Sequence, residues 1–424
     1  MKIAIIGGGM AGLGVAYELL GKGHTITLFE KSSQLGGLAA SVTVGGVPIE
    51  QYYHHLFPTY HDFWEVAKTL GFYDKVFFKK ATTALYYDGV LYPFTGALDL
   101  LSFTPLPLAG RLKTGLFTIY CKGKRNWRDF ENISAADWLK RHLGEDAYRV
   151  IWKPLLESKF GAYANEISMV WLWGRIYERP SKFGYFEGGF FTFINAVAEH
   201  LKQSGVIVHA GSAVRALSKT GNSFVITSDA GTDIFDQVIV AAPPAAFQAI
   251  AGSVLPDDAK RALQGYPYLG TICVILGLTR RLTNNYWVNV NDATSPFVVA
   301  IEQTNFVSEK TYGGLHPMYL ARYLAITDPL FQLGEEELLA RFFAKLKEIF
   351  PNFSEKLVAE RHVGRAPYTQ PVVTVGYGSR RPAFRTAVPG LWWVSMSHIY
   401  PWDRGTDHSF HAGRELSREL LVAC

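Results

Sequence analysis

An α/β fold is predicted by three features of this 424-residue chain. The first is a β-α-β pattern at its start: a strand over 2–6, a helical stretch over 13–20 and a second strand over 25–29 closed by Glu30. The second is a GxGxxG turn between strand and helix, with an acid 18 residues after its last glycine. The third is the late return of apolar strands, 238–241 and 391–395, which makes the nucleotide domain discontinuous.

Each part of the opening unit has a physical task. Gly7 permits the sharp turn from strand to helix, Gly9 leaves room for a pyrophosphate against the backbone, and Gly12 lets the helix lie close to the sheet. Met10 and Ala11 lie in the turn that leads into the helix, whose N-terminus offers unpaired N–H groups and partial positive charge to phosphates. Glu30 is placed to accept hydrogen bonds from an adenosine ribose, and its charge disfavours a 2′-phosphate and hence NADP. The alternative, a structural glycine turn, does not account for the full strand-turn-helix-strand-acid context.

After Glu30 the chain runs Lys31-Ser32-Ser33-Gln34-Leu35-Gly36-Gly37-Leu38. A second glycine pair here lets the backbone fold back over the same pyrophosphate, so Lys31, Gly36, Gly37 and Leu38 join the candidate cofactor contacts. A short hairpin is expected over 44–50.

This run resembles the N-terminal signature of flavoproteins of the amine oxidase, protoporphyrinogen oxidase and phytoene desaturase superfamily: GxGxxG, an acid, then GGxxxS. Gly36-Gly37 and Ser41 match the last element, although many members carry Arg where this chain has Leu38. The resemblance implies FAD as cofactor, bound by a discontinuous Rossmann-like domain (GR2-type) with an inserted α+β substrate domain. It places residues 1–80, 184–250 and 385–424 in the FAD domain, and 81–183 and 251–384 in the substrate domain. It also implies a backbone contact from Val214 to the adenine, with Ala242 at the end of the returning strand. Near the C-terminus the usual Gly-Asp pair is absent and Met396-Ser397 stands in its place. Asp403, Arg404 and Thr406 are the candidate replacement contacts, just before a final helix over 409–421 whose N-terminus would face the flavin.

Composition sets bounds. Hydrophobic residues make up 48% of the chain with mean hydropathy +0.06, which suits a globular enzyme with an apolar pocket. The net charge of +5 is too mild to point to nucleic acid. Three scattered cysteines, Cys121, Cys273 and Cys424, disfavour zinc or disulfide frameworks, and no metal cluster is expected. Cys424 reads as a frayed tail. A strand beginning at Lys2 and no apolar run of about 18 residues point to a cytoplasmic protein without signal peptide or membrane span.

One region qualifies that localisation. Residues 98–108 carry little charge, Arg111 and Lys113 follow, 116–120 are apolar or aromatic, and Lys122, Lys124 and Arg125 close the stretch. Such a pattern fits peripheral membrane contact. Interruption by Pro105 and Pro107 favours the plainer reading, an amphipathic helix of the substrate domain with a solvated basic end.

Candidate chemistry lies in Glu50-Gln51-Tyr52-Tyr53-His54-His55-Leu56-Phe57. His55-Leu56-Phe57 resembles the corresponding stretch of UDP-galactopyranose mutase. A histidine beside a flavin could bond its N5 or O4 edge, or move a proton near neutral pH. On extended backbone the two rings cannot point the same way. Lys159 sits in an aromatic run and is the third catalytic candidate; a surface salt bridge is the reading favoured for it. Arg175, with Arg179, and Tyr368, with His362 and Arg365, are candidate substrate contacts.

The reading that follows is an FAD-dependent oxidoreductase taking a hydride from a C–N or C–C bond of a bulky hydrophobic small molecule, with a lipid among the candidates. The alternative is a redox-neutral flavin-dependent mutase acting on a nucleotide sugar or lipid. Oligomeric state is not legible in the sequence.

Overall fold

A computed structural model describes residues 1–423; Cys424 lies outside the described residues. A five-stranded sheet, all parallel, has the spatial order Leu391–Val394, Gln237–Ala241, Lys2–Ile6, Thr25–Glu30, Ile207–Ala210. Its first strand in sequence is central, which explains its unbroken apolar run: Ile3, Ala4 and Ile5 are fully buried. Helices Met10–Leu19 and Thr406–Ala423 cover one face. They approach closely because Gly14 and Gly413 lack side chains: a Cβ on Gly14 would lie 2.1 Å from Phe410 O, and one on Gly413 2.0 Å from Ala11 O. Both helices begin three residues earlier than the sequence pattern places them, because the glycine turn and Gly405-Thr406 already adopt helical hydrogen bonding.

A three-stranded antiparallel meander, Val214–Thr220, Ser223–Ser228 and Gly231–Phe235, leaves this layer between Ile207–Ala210 and Gln237–Ala241. A mixed seven-stranded sheet forms the second layer, in the order Val358–Pro371, Tyr268–Leu278, His316–Leu324, Val299–Glu302, Trp287–Val290, Thr83–Tyr87, Val90–Pro93. Segments far apart in sequence meet here: Thr83–Tyr87 runs parallel to Trp287–Val290 and antiparallel to Val90–Pro93. Helix Glu335–Ile349 closes its outer face with Leu338, Phe342 and Leu346.

Residues 97–178 form a third, helical layer around Trp171 and Trp173, both nearly inaccessible. Its helices start where the sequence offers caps. Ser134 accepts from Asp137 N (3.0 Å) ahead of Ala135–Leu143, and Ser168 accepts from Val170 N (3.2 Å) ahead of Met169–Glu178. The apolar stretch near residue 100 is two helices, Ala97–Ser102 and Leu108–Gly123, broken at Pro105 and Pro107. Among the described residues no helix is long and apolar enough to cross a membrane.

Candidate functional site

One cavity of about 780 Å³ runs from the glycine turn, between the layers, to an aromatic end beneath the seven-stranded sheet. Its near end lies at the carboxyl edge of the parallel strands, where α/β sheets hold ligands. Gly7, Gly9, Met10, Ala11, Glu30, Lys31, Gly36, Gly37, Leu38, Val214 and Ala242 all line it.

The three motif glycines do different things. Gly7 has φ +110°, and a Cβ there would lie 2.4 Å from Ala241 O. Gly12 does not line the cavity; its Cβ would lie 1.8 Å from Gly7 O, so it serves helix-sheet contact alone. Gly9 is different: a Cβ would meet only Gly37 Cα at 3.8 Å. Nothing among the described residues needs a glycine there, which leaves an incoming ligand as the reason.

Glu30 is oriented by the same turn. Its Oε2 accepts from Gly8 N (2.7 Å) and its Oε1 from Ser32 N (2.8 Å), while Ser212 N donates to its carbonyl (2.8 Å). The second glycine pair folds back as expected from the sequence: Gly36 N donates to Gly8 O at 2.8 Å. Thr406 opens the C-terminal helix, and that N-terminus also faces the cavity. An open cradle at Gly9, a fixed carboxylate, two glycine loops and a helix end on one elongated cavity fit a dinucleotide such as FAD.

The far end carries the remaining candidates. His54, His55, Lys159, Arg175, Tyr368, Asp403 and Arg404 line it, with Tyr53, Trp287 and Tyr323. Both histidines reach the one cavity, because 53–55 are irregular rather than extended. They pack on different rings: His54 on Phe190 (5.4 Å) and His55 on Phe183 (4.3 Å). His54 Nδ1 donates to Tyr52 O, which leaves Nε2 as acceptor. His55 Nδ1 is buried without a hydrogen-bond partner among the described residues. Burial, with the Arg404 guanidinium, pushes His54 down to about 4. Burial, Arg179, His54 and Arg175 push His55 down to about 3. Both shifts favour the neutral rings, which suits a hydrogen bond to a ligand better than proton transfer near neutrality.

Lys159 corrects another expectation. It is buried, 7% exposed, rather than a surface lysine, because helix Lys153–Phe160 turns it inward against Trp171 and Tyr323. Its Nζ donates to Asp403 Oδ2 at 2.9 Å. Asp403 also accepts from Arg175 Nη1 (3.2 Å), Trp171 Nε1 (2.8 Å) and Arg404 N (3.0 Å). Burial brings Lys159 down to about 7, against the pull of Asp403. Burial opposes ionisation of Asp403 too, but Lys159, Arg175 and Arg404 outweigh it and hold the carboxyl well below its usual range. The Arg404 guanidinium is committed elsewhere: Nε donates to Gln370 Oε1 (2.9 Å) and Nη2 to Tyr323 OH (2.6 Å), which sits 3.0 Å from Tyr53 OH.

Arg179 is the exception. No side-chain hydrogen bond or ion pair holds it among the described residues; it lies over Phe183 (5.2 Å) and Trp287 (6.0 Å) and lines the cavity. Burial, with Arg175 beside it, lowers it to about 10. Of the other set, Tyr368 and Arg365 line the cavity, whereas His362 pairs in the sheet opposite Ile275 and does not. Sequence reasoning missed Tyr323, Trp287 and Gln370. They sit on strands of the second layer and carry no motif; only the pairing of that layer over the cavity reveals them.

Comparison with known proteins agrees with this geometry. AofH of Mycobacterium tuberculosis, a proposed flavin-containing monoamine oxidase, is 27% identical over 289 residues, 63% of this chain and 62% of that protein. Zeta-carotene desaturase of Zea mays is 28% identical over 181 residues, 37% of this chain and 31% of that protein. The chain thus spans about 62% of AofH and a smaller share of the desaturase. The crystal structure of reduced UDP-galactopyranose mutase superposes with TM-score 0.77 at 17% identity, covering 100% of this chain and 96% of that one, which shows a shared fold. The profile of "Flavin containing amine oxidoreductase" matches residues 10–421. This chain therefore belongs to the flavin-containing amine oxidoreductase family, whose cofactor is FAD.

Proposed function

We propose that this chain is an FAD-dependent oxidoreductase that takes a hydride from a C–N or C–C bond of a bulky, hydrophobic substrate bearing an anionic group. The observation that carries the substrate class is the far end of the cavity: aromatic walls around Arg179, a cation with no side-chain hydrogen bond or ion pair among the described residues. An unpaired guanidinium in a water-poor site favours a carboxylate or phosphate. The desaturase relative is consistent with a lipophilic body.

When bound, FAD would supply the two-electron acceptor for the hydride. The glycine turn with its helix N-terminus and Gly36-Gly37 would hold its phosphates, Glu30 its ribose, and the helix N-terminus at Thr406 would face the flavin ring. Val214 and Ala242 would flank the adenine end. His54 would present a neutral Nε2 acceptor to the reacting end, and His55 would pack beside it. Loss of hydride from carbon is balanced by loss of a proton from the adjoining nitrogen or carbon, and Lys159 Nζ, brought down to about 7, is suited to take it. Asp403 positions Lys159 and Arg175, and Tyr368 covers the substrate.

The Arg175–Arg179 pair also favours a second reading, a redox-neutral mutase acting on a nucleotide sugar or lipid. The two separate on stoichiometry: the oxidoreductase consumes one acceptor per turnover, and the mutase needs only priming by reductant. The test is anaerobic bleaching of the flavin absorbance by a panel of lipophilic amines and acids and their neutral esters. Bleaching by anionic members, with KM raised at least tenfold in Arg179→Gln for those members alone, supports the proposal. Bleaching insensitive to the anionic group in both proteins contradicts the substrate class, and no bleaching by any member, with isomerisation by the reduced protein, contradicts the redox reading.

A further inference from the structure

Helix Leu108–Gly123 has two apolar faces, and only one is used by the fold. Thr114, Phe117 and Cys121 face the helical layer and are buried. On the other side Leu108, Leu112, Leu116 and Ile119 are 60%, 50%, 65% and 69% exposed. At about 100° per residue these four lie within roughly 80° of arc, a continuous stripe along the whole helix. The preceding helix extends it: Leu98 is 81% exposed, and the two helices touch through Leu100 and Gly115. Buried Phe103 and Leu106 pin the connection between them, so the patch is rigidly presented. Contiguous exposed apolar surface of this kind marks an interaction site.

The charges around the stripe say what it meets. By the same helical geometry Lys113 lies along one border and Arg111 along the other; Arg111 is tied to Leu106 O and Leu101 O, and Lys124, just past the helix, pairs with Asp129, so Lys113 and the exposed Arg125 are the charges turned to solvent beside the stripe. From 97 to 129 the chain has six basic residues and two acids: Asp99, whose Oδ2 is occupied by Thr95 N (2.8 Å) and Gly96 N (3.0 Å), and Asp129, which pairs with Lys124. Leucine in the middle with Lys and Arg on both flanks matches an apolar acyl layer under negatively charged headgroups. A protein partner would need an acidic rim around an apolar centre, and this chain's own net charge of +5 disfavours a second copy.

We propose that helices Ala97–Ser102 and Leu108–Gly123 dock the protein on an anionic lipid bilayer, lying in its interface without crossing it. The docked helix is linked to the cavity: Lys122 Nζ donates to Tyr177 O (2.9 Å) and Arg179 O (2.5 Å), at the wall where Arg179 enters the site. Docking therefore brings that wall toward the membrane, a geometry suited to a substrate drawn from lipid. The surface stands on its own exposure and charge and does not rest on the proposed reaction.

The test is flotation of the purified, flavin-loaded chain with vesicles of phosphatidylglycerol and phosphatidylcholine, and with phosphatidylcholine alone, at low and high salt. The proposal expects partition at least tenfold higher onto the anionic vesicles, reversed by high salt. Leu112→Glu/Leu116→Glu should lower that partition at least tenfold. So should Lys113→Glu/Arg125→Glu, which leaves the stripe intact. All four residues are exposed, so the visible spectrum and melting temperature of both variants should match the parent. Absence of vesicle binding by the parent overturns the proposal, as does equal binding by the leucine variant. Self-association that the leucine variant abolishes, without vesicle binding, assigns the face to a second copy and overturns it too.

Discussion

Asp403→Asn tests the charge arrangement at the reacting end. The carboxylate takes four donors, from Lys159, Arg175, Trp171 and the backbone of Arg404, and is among the more buried acids of the chain, with side-chain exposure of 13%. Asparagine keeps the shape, removes the charge and turns an NH2 toward at least one donor. Breaking a buried ion pair from one side costs about 3–5 kcal/mol. At about 2.1 cal/mol/K per residue, 424 residues unfold with roughly 0.9 kcal/mol/K, so melting should fall by about 3–6 °C. The pH dependence has a definite sign. Lys159 titrates at about 7 in the folded protein, below the ordinary lysine value of 10.5. Between those values the unfolded chain binds more protons, so stability rises with pH through that window. Removing Asp403 lowers Lys159 further, and the rise begins at lower pH in the variant. The deficit of Asp403→Asn should therefore be larger near pH 6 than near pH 8. Thermal melts of parent and variant, flavin-loaded and flavin-stripped, measure this directly. Melting within about 1 °C of the parent at both pH values, or a deficit that grows with pH, refutes the reasoning.

Two further substitutions separate cofactor binding from folding. Gly9→Ala meets no protein atom closer than 3.8 Å, so it should fold and melt like the flavin-stripped parent yet lose most of its flavin; retained full occupancy in the visible spectrum contradicts the cradle. Glu302→Gln probes a carboxyl that burial pushes up to about 7, with Oε2 accepting from Leu282 N (3.2 Å) and Oε1 from the Thr304 hydroxyl (3.0 Å). A raised folded value means stability present below the ordinary carboxylate range and lost as pH rises toward 7. The variant should therefore gain on the parent across that window, by about 1–3 kcal/mol at pH 8 in denaturant titrations.

The nucleotide half of the fold is legible because its signals are local. Gly7, Gly9, Gly12 and Glu30 form one βαβ unit, and fixed spacing puts them on one sheet edge. The aromatic end is assembled from distant stretches, around His54, Lys159, Trp287, Tyr323, Tyr368 and Arg404, whose juxtaposition depends on strand order in the seven-stranded sheet. Periodicity finds those strands but not their partners. Lys159 shows the consequence: in a run of scattered aromatics it reads as a surface salt-bridge residue, and only the position of Asp403, 244 residues away, turns it into a buried ion pair. The histidines stand out through the segment after the hairpin and the resemblance of His55-Leu56-Phe57, but their charge state depends on burial first and then on Arg179 and Arg404. The apolar stripe is the converse case. Its leucines are visible in sequence, and the second, buried face of the same helix hides that they are left over.

The most direct test of the account is the visible spectrum of the protein as purified, followed by release and chromatography of whatever chromophore it carries. The account predicts the two absorbance bands of an oxidised flavin, bleached by anaerobic reduction, and a released ligand identical to FAD at about one per chain. A colourless protein that FAD does not reconstitute would contradict the assignment of the cavity.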